Sequence, residues 1–130
     1  MQLGSKALSC SGTKLTYISI DRRPSPNFGP RRVVSAPSLI VLHYTAMPSA
    51  EAALERLCDP LHEVSAHYLI DQQGKVIQLI AEAQRAWHAG AGYWGGCSDI
   101  NSASIGVELC NAGNHGFPMQ QIEALKTLIT

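Results

Sequence analysis

"SLIVLHY", residues 38–44, is an apolar run of strand length that closes on a histidine and a tyrosine. Runs of this kind suit strands covered on both faces, which implies a sheet with helices packed against it. The stretch that follows supplies such a helix. In "SAEAALERLC" (49–58) a serine stands at the cap position beside Pro48, and apolar residues recur at 50, 53, 54 and 57. That spacing predicts an amphipathic helix, stopped before Pro60. On the other side, "DRRPSPNFGPRR" (21–32) holds three prolines and a glycine among charges, and reads as a surface loop.

Further along, "SAHYLIDQQGKVIQLI" (65–80) predicts a β-hairpin, with strands near 66–71 and 76–80 around a glycine-bearing turn. The next segment, 81–103, is rich in glycine and carries Trp87 and Trp94. A loop of that length inside a small domain is usually functional or disordered, and the two tryptophans argue against disorder. "ASIGVELCN" (103–111) then alternates Ile105, Val107 and Leu109 on one face, which is the pattern of a half-buried strand. "FPMQQIEALKTLIT" (117–130) opens a last helix, with apolar residues at 119, 122, 125, 128 and 129. Strand, helix, hairpin, loop, strand and helix in that order predict an α/β domain: a mixed central sheet flanked by helices.

The chain has 130 residues, the size of one domain, with 45% hydrophobic and 15% charged residues. Ten basic and ten acidic residues cancel, which argues against a nucleic-acid partner held by phosphate attraction. No stretch is long and apolar enough to predict a transmembrane segment. Residues 1–24 read as a leader segment, and "MQLGSKALS" lacks the apolar core of about 7–15 residues that a signal peptide needs. Cysteines stand at 10, 58, 97 and 110 without a C-x-x-C pair, so free thiols are the plainer expectation and disulfides stay open. Nothing in the pattern fixes an oligomeric state.

Chemistry gathers around a carboxylate and five histidines. Glu108 shares its strand face with Gly106 and Cys110, where a buried carboxylate is costly unless it is paired or does acid–base work. An ion pair with Arg85 is the structural alternative. His43 ends a strand, where sites in α/β sheets tend to lie, or else is a core histidine bound to a carbonyl. His67 suits a histidine hydrogen-bonded within the sheet. His88 is flanked by Trp87 and small residues that leave room for a ligand. His62 and His115 lie in polar stretches and read as solvated.

"IVLHYTA" (40–46), "VSAHYLID" (64–71), "RAWHAG" (85–90) and "SIGVELCN" (104–111), in that order and spacing, resemble the bacterial zinc-dependent N-acetylmuramoyl-L-alanine amidases. This is the second amidase family, related to phage lysozyme-amidases and peptidoglycan-recognition proteins. "SPNFGPR" (25–31) resembles the loop before the first strand of these enzymes. The resemblance implies an amidase domain over 25–130. It implies zinc hydrolysis of the amide between N-acetylmuramic acid and L-alanine, in peptidoglycan or a muropeptide. His43 falls on the first zinc ligand and Glu108 on the catalytic acid–base. Trp87, His88, Asn101 and Ser104 fall on cleft positions, with substrate contact as the expectation, and His67 on a residue supporting the site. The family's other two zinc ligands, a His and an Asp, follow the helix that starts near Phe117, and nothing like them stands between that helix and Thr130. The expectation is that those ligands lie beyond Thr130, in a domain incomplete at its C-terminus. A non-catalytic muropeptide-binding module is the alternative function. A cytoplasmic place suits a recycled muropeptide, and the periplasm or cell envelope suits intact peptidoglycan.

Overall fold

The computed structural model describes residues 4–8 and 16–130. Its main sheet is built from β1 (Gly4–Leu8), β2 (Thr16–Arg22), β4 (Leu39–Tyr44), β5 (Tyr68–Ile70), β6 (Val76–Gln78) and β8 (Ser104–Leu109). These six strands lie in the order β1-β2-β6-β5-β8-β4. A small second sheet pairs β3 (Phe28–Pro30) with β7 (Gln84–Ala86). The helices are α1 (Ala50–Cys58), α2 (Ile100–Ala103) and α3 (Met119–Ile129). Pairing is mixed: β5 and β4 both run parallel to β8, whereas β5 and β6 are antiparallel. The predicted α/β class with a mixed central sheet is the one observed.

Each face of the sheet has its own core. Ile70, Val76, Ile105 and Val107 pack toward Leu125 and Leu128 of α3. On the other face Leu69 and Ile77 meet Ala53, Leu54 and Leu57 of α1. Leu69, Ile70 and Val76 are wholly buried, and each such side chain stabilises the fold by about 1.5–3 kcal/mol. Ser49 caps α1 as its sequence position implies, its hydroxyl accepting from the Ala52 N–H at 3.1 Å. The hairpin forms with shorter strands than predicted. Its turn brings Gly74, at φ +84, so close to the start of α3 that an added Cβ would meet the Gln120 carbonyl oxygen at 2.6 Å.

Three expectations need correction. The run 38–44 is not covered on both faces. β4 lies at the edge of the described sheet, and Ile40, Leu42 and Tyr44 are about half exposed at 49%, 49% and 54%. An apolar run signals strand but carries no information about what lies beyond it, and α3 does not extend over this edge. Residues 21–32 are not all loop, since β2 runs to Arg22 and β3 occupies Phe28–Pro30. The stretch 1–24 is not separate from the domain either: β1 and β2 fall within it and join the main sheet, with Ile18 and Ile20 buried.

Along α3 the stripe is narrower than its apolar residues suggest. Met119 and Ile129 are exposed, whereas Gln121 is wholly buried, its side-chain Nε2 donating to the Ile70 and Cys110 carbonyls at 3.0 Å each. Cys58, Cys97 and Cys110 are free thiols, and Cys10 lies outside the described residues. Among the described residues no helix is long and apolar enough to cross a membrane.

Candidate active site

The parallel register of β4 and β8 sets His43 opposite Glu108 and Val41 opposite Gly106. Alternate residues of a strand share a face, so Ser104, Gly106 and Glu108 look the same way as Leu39, Val41 and His43. That is the α1 face, because Glu108 is also level with Leu69 of β5, which packs against α1. The small residues at 104 and 106 leave a hollow in this face. His88 fills it: a Cβ added at Gly106 would come within 2.5 Å of the His88 ring.

His88 arrives from the loop between β7 and α2, and Asn101 holds that loop in place. The Asn101 Oδ1 accepts from the backbone N–H groups of His88 and Ala89 at 2.9 and 2.8 Å. Asp99 caps α2 by accepting from the Ser102 N–H, and it also pairs with Arg85 at 2.9 Å. Arg85 is therefore committed to Asp99, and the ion pair considered for Glu108 is not made.

The imidazole of His88 has a partner at each nitrogen. Its Nδ1 lies 2.9 Å from His43 Nε2, and its Nε2 lies 3.1 Å from Ser104 Oγ. His67 sits beneath, wholly buried. The Gly106 N–H donates to its Nδ1 at 3.0 Å, so its Nε2–H faces the Gln84 carbonyl at 2.9 Å. His67 thus ties β8 to β7 under the hollow and stands 6.1 Å, ring to ring, from His88.

Electrostatics separate these groups sharply. Burial pushes the Glu108 carboxyl up to about 7. Its Oε2 is buried and has no hydrogen-bond partner, in contrast to nearly all buried polar atoms in proteins. Burial lowers His43 and His67, and burial together with the neighbouring His43 and His67 holds His88 down to about 3. The result is a carboxyl poised near neutrality beside imidazoles held uncharged.

A cleft of about 420 Å³ opens over this group, lined among others by Thr45, Met47, Leu57, Trp87, His88 and Glu108. Asn101 also reaches it, and Arg56 and Glu63 put charges on its wall. The structure therefore gathers Glu108, Trp87, His88 and Asn101 at one cleft, with His43 alongside. Ser104 requires a correction. It is wholly buried, its hydroxyl donating to the Ile100 carbonyl at 2.6 Å, so it supports His88 and cannot touch a substrate. His62 and His115 stand apart on exposed loops. Arg56 and Glu63 went unnoticed in the sequence because they look like ordinary surface charges of a helix and a loop.

A catalytic zinc normally takes three protein ligands. Glu108 has a bare buried oxygen here, but the Nε2 of His43 is turned to His88, and among the described residues no three His, Cys, Asp or Glu side chains converge to hold a metal ion. Thr130 is the C-cap of α3. It is exposed, with its N–H donating to the Lys126 carbonyl at 3.2 Å, and it brings no metal donor to the cleft. The residues present supply one donor from His43 and do not by themselves fit a zinc ion.

A family model described as N-acetylmuramoyl-L-alanine amidase matches residues 33–130. The N-acetylmuramoyl-L-alanine amidase AmiD of Escherichia coli is 38% identical over 82 residues, covering 58% of this chain and 29% of that protein. The 1,6-anhydro-N-acetylmuramyl-L-alanine amidase AmpD of Salmonella typhimurium is 35% identical over 105 residues, covering 68% of this chain and 56% of that protein. The chain thus spans about half or less of the length of these curated relatives. Among solved structures, that of a selenomethionine AmpD derivative superposes with a TM-score of 0.75 at 28% identity, over 84% of this chain and 70% of that one. E. coli AmiD in complex with anhydro-N-acetylmuramic acid-L-Ala-D-γ-Glu-L-Lys gives 0.66 at 30% identity, over 94% of this chain and 49% of the other.

Proposed function

The chain belongs to the N-acetylmuramoyl-L-alanine amidase family, and from that premise we propose that its cleft takes the amide between N-acetylmuramic acid and L-alanine, with Glu108 as the acid–base of its hydrolysis. The observation that carries this reading is the bare, buried Oε2 of Glu108 at the cleft wall. A buried carboxylate oxygen without a protein hydrogen-bond partner is costly to the fold, and its use is to hold and release a proton. With its carboxyl raised to about 7, Glu108 is protonated in part of the molecules and ionised in the rest near neutral pH.

In hydrolysis, water adds to the carbonyl carbon of the lactyl group and the bond to the alanine nitrogen breaks. Glu108 takes the proton from the attacking water and passes it to the departing amine. Trp87 and Asn101 line the same cleft, and we assign substrate contact to Trp87 and His88. Asn101 holds their loop. His43 is proposed as one zinc ligand. Among the described residues no three donors converge to complete such a site.

Relatives named for the 1,6-anhydro substrate favour a soluble anhydro-muropeptide, and with it a cytoplasmic place. Intact peptidoglycan, and the envelope, is the alternative. Among the described residues no three metal donors converge, and this favours a second reading, in which the cleft binds muropeptides without cleaving them. The test is hydrolysis of an N-acetylmuramoyl-L-alanine peptide, followed by release of the alanine amino group, beside calorimetric binding of the same peptide. Release that depends on Glu108 supports the amidase, and binding without release supports the module.

A further inference from the structure

Both ring nitrogens of His88 are engaged by protein groups, and their directions can be worked out from one short contact. Ser104 Oγ lies 2.6 Å from the Ile100 carbonyl oxygen, which can only accept. The single hydroxyl hydrogen must lie between them, since two bare oxygens would repel at that distance. Ser104 Oγ therefore has only lone pairs to offer His88, and the 3.1 Å contact requires the proton to be on His88 Nε2. A neutral His88 protonated at Nε2 has a bare Nδ1. That Nδ1 lies 2.9 Å from His43 Nε2, so His43 must be the donor there.

We propose that Ser104 and His88 form a hydrogen-bonded relay that fixes His43 in its Nε2–H tautomer and leaves Nδ1 of His43 as its free electron-pair donor. Among the described residues the His43 ring is hydrogen-bonded through Nε2 alone, in keeping with this. The relay is held mechanically as well. Gly106 admits the His88 ring where any side chain would strike it, and Asn101 grips the backbone on which the ring is carried. Ser104 is on this account a positioning residue, and His88, besides lining the cleft, positions His43. A partner that fixes which imidazole nitrogen stays bare also fixes the direction in which that histidine can bind. The inference rests on the proposed function only for its use, since it names the working nitrogen of His43.

The test is nitrogen-15 magnetic resonance of the histidine rings in the uniformly labelled chain, without added metal. The expected spectrum shows one proton bonded to His43 Nε2, with a coupling across the hydrogen bond to His88 Nδ1, and a second, slowly exchanging proton on His88 Nε2. In Ser104→Ala the His88 Nε2 proton loses its acceptor and should exchange at least about tenfold faster. In His88→Phe, which keeps an aromatic ring and removes the acceptor, His43 should become a mixture of both tautomers. A shared proton bonded to His88 Nδ1, a wild-type His43 already mixed, or unchanged His43 and His88 signals in either folded variant would overturn the relay. None of these spectra reads hydrolysis, so a chain with an intact relay and no amidase activity would sink the proposed function and leave the relay standing.

Discussion

His43 on β4 and Glu108 on β8 stand opposite one another in the parallel register, on the face of the sheet that α1 covers. Two hydrogen-bonded strands therefore deliver a histidine and a carboxyl to one place without any loop to position them. Side chains carried on paired strands are held more firmly than side chains on loops, and the Oε2 of Glu108, carried on β8, is buried without a hydrogen-bond partner.

That confinement gives a pH signature. The Glu108 carboxyl rises from an ordinary 4.5 to about 7 in the fold, so between those values the native state holds a proton that the unfolded chain has released. Protonation then favours folding, and the stability of the wild type relative to Glu108→Gln should fall as pH rises from about 4.5 to about 7, then level off. The expected change is about 1–3 kcal/mol. Denaturant melts of both proteins at matched pH values check it, and a flat difference would show that the carboxyl is not raised.

Asn101 should matter more through its loop than through the cleft. Asn101→Ala removes the acceptor for two backbone N–H groups and should cost about 1–3 kcal/mol. Asn101→Asp retains an acceptor oxygen and should recover most of that loss. Chemical denaturation of the two variants decides it, and equal losses would contradict the assignment.

Gly106→Ala tests the hollow. The new methyl would stand about 2.5 Å from the His88 ring, so the ring must leave or the strands must part. Overpacking of this kind costs about 1–3 kcal/mol. Thermal melts should register it, and the His88 ring signals should move while those of the α3 face stay put. An unshifted His88 would mean that the ring does not lie over Gly106.

A buried polar knot fastens the end of α1 near the cleft. The Asn27 amide donates to the carbonyls of Asp59 and Val64 at 2.9 Å each, and Ser65 Oγ donates to the Asn27 carbonyl at 2.6 Å. Asn27→Ala strands those carbonyls and should destabilise the chain by about 1–3 kcal/mol. Equilibrium unfolding measures it, and a loss below about 0.5 kcal/mol would show that water satisfies them instead.

Much of this was legible in the residues. Glu108 broke the composition of its strand, Ser49 announced α1, and the four motifs carried the family. What escaped is what depends on partners distant in sequence. An apolar run could not say that β4 has an open edge, because coverage belongs to whatever packs beside it. Ser104 shares a motif with Glu108, yet only the folded chain shows its hydroxyl spent on Ile100 and His88. Gln121 falls outside the apolar positions of α3, and its burial follows from two carbonyls contributed by other elements.

The central claim is that Glu108 moves the proton in cleavage of a muramoyl–alanine amide, and the most direct measurement compares wild type with Glu108→Gln on an N-acetylmuramoyl-L-alanine peptide. Initial rates of alanine amino-group release and the dissociation constant of the peptide are recorded together. The account predicts that the variant binds the peptide within about threefold of wild type and releases amine at least about 100-fold more slowly, the lower end of what general acid–base catalysis contributes. A variant that cleaves at a rate within a few-fold of wild type would contradict it, as would a wild-type chain that binds the peptide and releases nothing.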